Sequence, residues 1–120
     1  MAEALARHLA ADAIAASSAG LAPLGYICPP TRAVLAEIGV SCAGQTSKWL
    51  RDRDIAAANL LINMAGRRVT DIVHARRPVE DWNVPDPFGC DLAAYRRARD
   101  EIERRVKELA NRLRASAAQV

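Results

Sequence analysis

An α/β fold with a parallel sheet is what this 120-residue chain predicts, and three observations carry the prediction. Helix-forming stretches alternate with short apolar runs, the pattern of strands joined by helical crossovers. Residues 59–64, Asn-Leu-Leu-Ile-Asn-Met, are short and nearly all apolar, as a strand covered on both faces requires. Toward the C-terminus, Leu92, Tyr95, Ala98, Ile102, Val106, Leu109 and Leu113 recur every three or four residues, which is one stripe of a long helix.

The elements follow in order. Residues 1–11 are rich in helix formers, with Ala2, Leu5 and Leu9 on one stripe. Residues 13–18 read as a short strand ending at Ala19-Gly20, and a Pro/Gly-containing loop runs to Pro30. A helix is expected over residues 30–38, with proline in its first turn, where a missing N–H is harmless, and Gly39 as its stop. Residues 40–53 read as loop with one helical turn near residues 47–50. Asp54 is placed to cap a short helix over residues 55–58. The strand at 59–64 is followed by a helix over residues 67–76 and a last short strand at residues 79–82. The closing helix spans residues 91–115, leaving residues 116–120 as a frayed tail. Its outer face pairs Asp100 with Arg104, Glu101 with Arg105, Glu103 with Lys107 and Glu108 with Arg112 at helical spacing, the pattern of a solvated surface.

Composition narrows the function. The length fits one domain, residues 1–120, burying roughly two-thirds of its unfolded surface. Hydrophobic residues make up 51% but aromatics only 4%, so Leu, Ile, Val and Ala must build the core. A net charge of +3, from 17 basic and 14 acidic residues interleaved along the chain, gives no footprint for nucleic acid. Cys28, Cys42 and Cys90 are odd in number and lack metal-ligand spacing, which argues for a reduced, cytoplasmic protein rather than a disulfide-stapled one. His8 and His74 are isolated and read as surface or helix residues, so no metal or nucleotide cofactor is implied. No apolar run approaches the ~18 residues of a membrane span, and the N-terminus lacks a signal-peptide pattern.

The most informative stretch is Glu80-Asp81-Trp82-Asn83-Val84-Pro85-Asp86-Pro87-Phe88-Gly89-Cys90. By itself, Pro85-Asp86-Pro87 reads as a turn feeding the long helix, with Asp86 as its cap. Other segments join it in order: Met1-Ala2-Glu3-Ala4-Leu5, Ser17-Ser18-Ala19-Gly20, Leu35-Ala36-Glu37-Ile38-Gly39-Val40, Leu60-Leu61-Ile62-Asn63-Met64 and Tyr95-Arg96 through Val106. Together these resemble the low-molecular-weight protein tyrosine phosphatases and their arsenate reductase relatives over nearly the whole chain. The resemblance implies a three-layer α/β/α fold of the phosphotyrosine phosphatase I type. It implies hydrolysis of phosphate monoesters in two steps, with a low-pKa cysteine attacking phosphorus and an aspartic acid protonating the leaving phenolate. That acid corresponds to Asp86, Pro87 fixes its loop, and Phe88 lies on the pocket rim, where an aryl phosphate or a phosphorylated protein side chain is the expected partner.

The family's nucleophile loop, Cys, five residues, then Arg and usually Ser, holds phosphate with backbone N–H groups at a helix N-terminus. Met1 stands about two residues beyond where the resemblance places that arginine. Neither the loop nor the central first strand before it is found in residues 1–120. Two internal spacings imitate it. Cys90 and Arg96 enclose Asp91-Leu92-Ala93-Ala94-Tyr95, which has no glycine, contains an acid and lies on the helical stripe. Cys42 and Lys48 enclose a more loop-like segment, but lysine cannot clamp phosphate in the bidentate manner of arginine. In arsenate-reducing relatives a thiol pair lies between the strand at 60–64 and the acid loop. Residues 65–85 contain no cysteine, so the phosphatase branch is the better match. Cys90 is a candidate redox thiol, with a buried structural role as its commoner alternative.

The resulting expectation is a phosphatase-like chain that is truncated at its N-terminus and inactive alone. A non-catalytic binding or regulatory module and an arsenate reductase relative are the alternatives. Without the central strand, the segments at 14–18 and 60–64 expose backbone edges, so either an incomplete, poorly stable domain or an oligomer that closes the gap is expected. A start codon misplaced at an internal methionine is the simpler expected cause of the missing loop, and a natural pseudo-enzyme is the alternative.

Overall fold

The computed structural model describes residues 1–20, 25–66 and 78–118. Its elements run α1 (Ala2–Leu9), α2 (Pro29–Ala36), α3 (Asp52–Ala57), β1 (Leu61–Asn63), β2 (Val79–Asp81) and α4 (Leu92–Ala118). The strands pair in parallel, Leu61 with Val79 and Asn63 with Asp81. The fold is the expected α/β class with a short parallel sheet. The helix expected at residues 67–76, which would form the crossover that parallel strands require, lies outside the described residues.

α4 is the packing platform. Tyr95, Ala98, Ile102, Val106 and Leu109 of the expected stripe are buried, as is Ala110. Leu113 packs against the core from its edge, whereas Leu92 is 44% exposed because it opens the helix beyond the neighbours that cover the rest. α1 and α2 both pack on this stripe. Leu5 of α1 and Leu35 of α2 are fully enclosed and share one cluster with Val40, Trp82, Ile102 and Val106. α2 carries Pro29 and Pro30 in its first turn and stops at Gly39, whose φ of +73° lets the Val40 N–H close back on the Leu35 carbonyl at 3.0 Å. The helix therefore starts and ends one to two residues earlier than the stripe alone suggests.

Several expectations change in three dimensions. Residues 13–18 form no strand. The Ala13 and Ile14 N–H groups both donate to the Ala10 carbonyl, winding off the end of α1. The Ala16 carbonyl accepts from the Arg7 guanidinium. With these groups taken, only Gly20 makes a strand-like contact, a parallel bridge to Trp49. That bridge also overturns the helical turn expected at residues 47–50, since the Gly20 N–H donates to Lys48 and the Leu50 N–H donates to Gly20. Asp54 is not the cap of α3 but its third residue, and its carboxylate accepts the Arg51 N–H at 3.1 Å from inside the helix. α4 continues to Ala118, three residues past its expected end.

Ion pairs tie the elements together. Glu3 is the buried surprise of α1: its carboxylate is 4% exposed, accepts from the Ser18 hydroxyl at 2.9 Å and faces Arg7 at 3.4 Å and Lys48 at 3.8 Å. A buried carboxylate demands such partners. Arg99, buried on α4, donates to the Val34 carbonyl at 2.9 Å and to Glu37 at 2.6 Å. Arg96 grips the same Glu37 with two nitrogens, the shorter contact 2.7 Å. The hydrogen bond from Arg96 is the main reason the Glu37 carboxyl falls from its ordinary 4.5 to about 2; partial burial opposes this and Arg99 adds to it. Farther along, Arg112 reaches Glu80 of β2 at 2.7 Å rather than Glu108 on its own helix. The expected pairs of Glu101 with Arg105 and Glu103 with Lys107 form, while Arg104 joins Glu101 and Glu108 instead of Asp100. Among the described residues no helix is long and apolar enough to cross a membrane.

Two outcomes follow. Leu5→Ala removes a fully enclosed side chain and should cost about 3 kcal/mol in urea unfolding, while a loss under about 1 kcal/mol would contradict this core. Because the Glu37 pKa is lowered on folding, its contribution is complete above 4.5 and fades as pH falls toward about 2. The gap in urea midpoint between wild type and Glu37→Gln should therefore narrow on acidification through that window. A gap that stays constant with pH would contradict the clamp.

Candidate active site

The parallel strands end in a cleft, where open α/β sheets place their ligands. Met64, Ala65 and Gly66 follow β1 into its wall, and residues 83–88 follow β2 along its rim. The floor is the start of the buried stripe of α4, Tyr95, Ala98 and Ile102. The remaining side comes from Met1 at the start of α1, with Cys28 and Thr31 at the start of α2. The cleft encloses ≈ 760 Å³ and is open to solvent. Two helix N-termini facing one space give it a partial positive character. Pro29 and Pro30 remove two of the N–H donors that α2 would otherwise present there.

Asp86 and Phe88, the two site residues read from the sequence, both line this cleft. Asp86 Oδ1 accepts the Phe88 N–H at 3.0 Å, and the Cys90 N–H donates to the Pro87 carbonyl at 2.8 Å. Gly89 takes φ +79°, the left-handed conformation that closes this tight turn. Phe88 is 61% exposed, standing at the mouth as a flat apolar edge. Asp86 is not the helix cap. Asp91 has that role, its Oδ1 accepting the Ala94 N–H at 3.0 Å. Asp86 is thus left at the cleft with its second oxygen uncommitted to the helix.

Tyr95 is the site residue that sequence reading assigned only to the core. Its ring is buried on the cleft floor beneath the acid loop, where its hydroxyl sits among titratable neighbours. Burial pushes that hydroxyl above its ordinary pKa, and the nearby Cys28, Asp86 and Cys90 push the same way. Its position one turn into α4, five residues past the Phe88-Gly89-Cys90 turn, was the available sign. Asn63 is a second such residue: its Nδ2 donates to Asp81 at 2.8 Å and its Oδ1 accepts the Ala65 N–H at 3.0 Å, linking the ends of both strands beside the cleft.

The imitations of a phosphate loop do not assemble. Arg96 is spent on Glu37, and residues 91–95 pass into α4, where the Ala94 and Tyr95 N–H groups donate to the Asp91 carbonyl. Cys90 is exposed, with its sulfur toward the Phe88 carbonyl at 4.0 Å, which removes the buried structural reading. Cys42 is buried in the core cluster, where the Arg32 guanidinium donates to its sulfur at 3.4 Å. Lys48 turns instead to Glu3. Cys28 is the thiol on the cleft wall. Among the described residues lining the cleft there is no Lys, Arg or His. Chemically, the arrangement offers a carboxyl group beside an aromatic rim and two helix N-termini, with no Lys, Arg or His side chain among the described lining residues to neutralise a dianion. His8 is exposed, and His74 lies outside the described residues. No group of three metal-ligating side chains occurs among the described residues.

Fold and cleft define an α/β protein with its ligand space at the strand ends. The family model described as low molecular weight phosphotyrosine protein phosphatase matches residues 1–119, and the chain belongs to that family. The chain is 31% identical over 111 residues to a glutaredoxin arsenate reductase of Synechocystis sp., covering 91% of this chain and 84% of that protein. It superposes on a solved arsenate reductase in the reduced state with a TM-score of 0.77 at 28% identity, covering 93% of this chain and 86% of that one. A solved protein tyrosine phosphatase gives a TM-score of 0.83 at 23% identity, covering 95% and 86%, a likeness of fold.

Proposed function

We propose that residues 1–120 carry the acid-loop half of a phosphate monoesterase site, in which Asp86 protonates the leaving oxygen and Phe88 borders the bound aryl group. The observation that supports this is the meeting of Asp86 and Phe88 on one cleft at the C-terminal ends of the parallel strands. A carboxylic acid placed within hydrogen-bond reach of a departing phenolate contributes roughly 10²–10⁴-fold by general acid catalysis. The substrate class is a phosphorylated protein side chain or another aryl phosphate. Attack on phosphorus needs a thiolate and a guanidinium held in one loop, and in this reading a segment outside the 120 residues supplies both. The 120-residue chain is then inactive alone, because among the described residues its cleft walls hold no Arg side chain to clamp the phosphate. Free cysteines fit a reduced, cytoplasmic setting for this chemistry.

Arsenate reduction is the second reading, favoured by the arsenate reductases among the sequence relatives. It needs thiols that carry a disulfide away from the site, and Cys28 on the cleft wall and exposed Cys90 are the available ones. Only arsenate turnover coupled to a thiol donor supports it.

The reading is checked with an aryl phosphate at slightly acidic pH and with the genomic sequence before Met1. The 120-residue chain should give no turnover above background, and an in-frame Cys-x5-Arg-Ser should precede it. Restoring that segment should produce turnover that falls roughly 10²–10⁴-fold on Asp86→Asn. Turnover by the short chain that is lost on Cys28→Ser, Cys42→Ser or Cys90→Ser would place the nucleophile inside it and overturn the reading. A stop codon immediately upstream would make the chain a non-catalytic module of the same fold.

A further inference from the structure

The acid loop sets the direction of Asp86 by local means. Asp86 Oδ1 accepts the Phe88 N–H at 3.0 Å, which ties one carboxyl oxygen to the loop and leaves Oδ2 to carry a transferable proton. Pro85 and Pro87 stiffen the segment, and the Cys90 N–H closes its turn on the Pro87 carbonyl at 2.8 Å. None of these contacts fixes how far the loop stands above the cleft. That depends on what lies beneath it. Tyr95 is one turn into α4, and a long side chain on a helix leans back toward the N-terminus. Its phenol therefore reaches toward residues 86–90. Tyr95 is 4% exposed and lines the same cleft as Asp86, with Asp86, Cys28 and Cys90 around its hydroxyl. The turn of α4 that carries it is anchored to α2, since Arg96 holds Glu37 at 2.7 Å and Arg99 holds Glu37 at 2.6 Å and the Val34 carbonyl at 2.9 Å. A buried phenol needs a polar partner for its O–H. Burial raises its pKa above the ordinary value, so it keeps the proton it donates. Of its three titratable neighbours, a carboxylate is the strongest acceptor.

We propose that Tyr95 is the positioning residue for Asp86: from the anchored turn of α4 its hydroxyl supports the acid loop and the Asp86 carboxyl, so that Oδ2 meets the leaving oxygen of the substrate. The role rests on the general-acid reading of Asp86 and extends it from the loop to the helix below. In the step itself the sulfur–phosphorus bond to the thiolate of the upstream segment forms while the P–O bond breaks. The electron pair of that bond goes to the leaving oxygen, which takes the proton from Asp86 Oδ2. Tyr95 neither gains nor loses a proton and does not touch the substrate. A poor leaving group needs that proton more than a good one does, so loss of the Tyr95 hydroxyl should be felt in proportion.

The test compares phenyl phosphate, with a poor leaving group, and p-nitrophenyl phosphate, with a good one, on the chain with its upstream segment restored. Tyr95→Phe keeps the ring in the core and removes the hydroxyl alone. It should lower kcat about 10-fold on phenyl phosphate and under ~3-fold on p-nitrophenyl phosphate, with KM unchanged on both. Added to Asp86→Asn it should cost nothing further, because residues that act as one unit are not additive. Equal losses on the two substrates would mark a general packing defect and overturn the positioning role. Losses that add to those of Asp86→Asn overturn it too, as does turnover indifferent to Tyr95→Phe while Asp86→Asn gives the graded loss. An inert restored chain, or phenyl phosphate turnover that survives Asp86→Asn, defeats the general-acid reading itself and the role of Tyr95 with it.

Discussion

The apolar stripe of α4 is the constraint on which the other elements depend. Tyr95, Ala98, Ile102, Val106, Leu109 and Ala110 face inward over four turns, and α1 and α2 are held by leaning on them. Both of those helices have eight residues, short enough to be marginal in water without a tertiary surface to pack on. Among the described residues the sheet has only two strands of three residues, which alone would be unstable. α4 therefore supplies the order that local propensity does not. With few aromatics to fill space, Ala4, Ala6, Ala10, Ala98 and Ala110 bring backbones close and make the fit tight rather than bulky.

Charge fixes what the stripe leaves free. A stripe of small residues permits sliding, and directional pairs oppose it. Arg99 enters the core and meets both the backbone of α2 and Glu37, while Arg96 takes the other side of the same carboxylate. Glu3 does the same for α1, drawing Ser18 and Lys48 onto it from two loops. Arg112 to Glu80 and Arg114 to Asp12 tie the far half of α4 to β2 and to the exit of α1. Such pairs add register more than stability, because desolvation offsets much of their attraction.

The cleft is a consequence of this arrangement. Parallel strands end on the same side, and α4 begins beneath them, so the segment from β2 to α4 must cross the strand ends. Pro85 and Pro87 stiffen that segment and Gly89 turns it. The result is that Asp86 stays at the surface of the cleft while Tyr95 is driven below it. The proton transfer proposed for Asp86 needs this placement: supported from beneath, yet open to a ligand.

Local pattern and composition by themselves determined the α/β class, the α4 stripe, the strand at Leu61–Asn63 and the order of motifs that mark the family. These depend on periodicity and residue type, which neighbours in sequence dictate. The loop that carries Asp86 and Phe88 to the cleft was legible for the same reason, as a short stiff segment with distinctive residues. The tertiary structure decided where backbone groups found partners. Residues 13–18 are extended in pattern, but Ala10 and Arg7 reach them first, and alanine and serine have little intrinsic preference for a strand. Gly20 and Trp49, far apart in sequence, turn an expected helical turn into a bridge. Burial of Glu3 and Arg99, exposure of Cys90 and the placement of Cys28 and Tyr95 at the cleft are likewise long-range outcomes. A charge or thiol carries no local sign of which side chain from another element will meet it, and only packing assigns that partner.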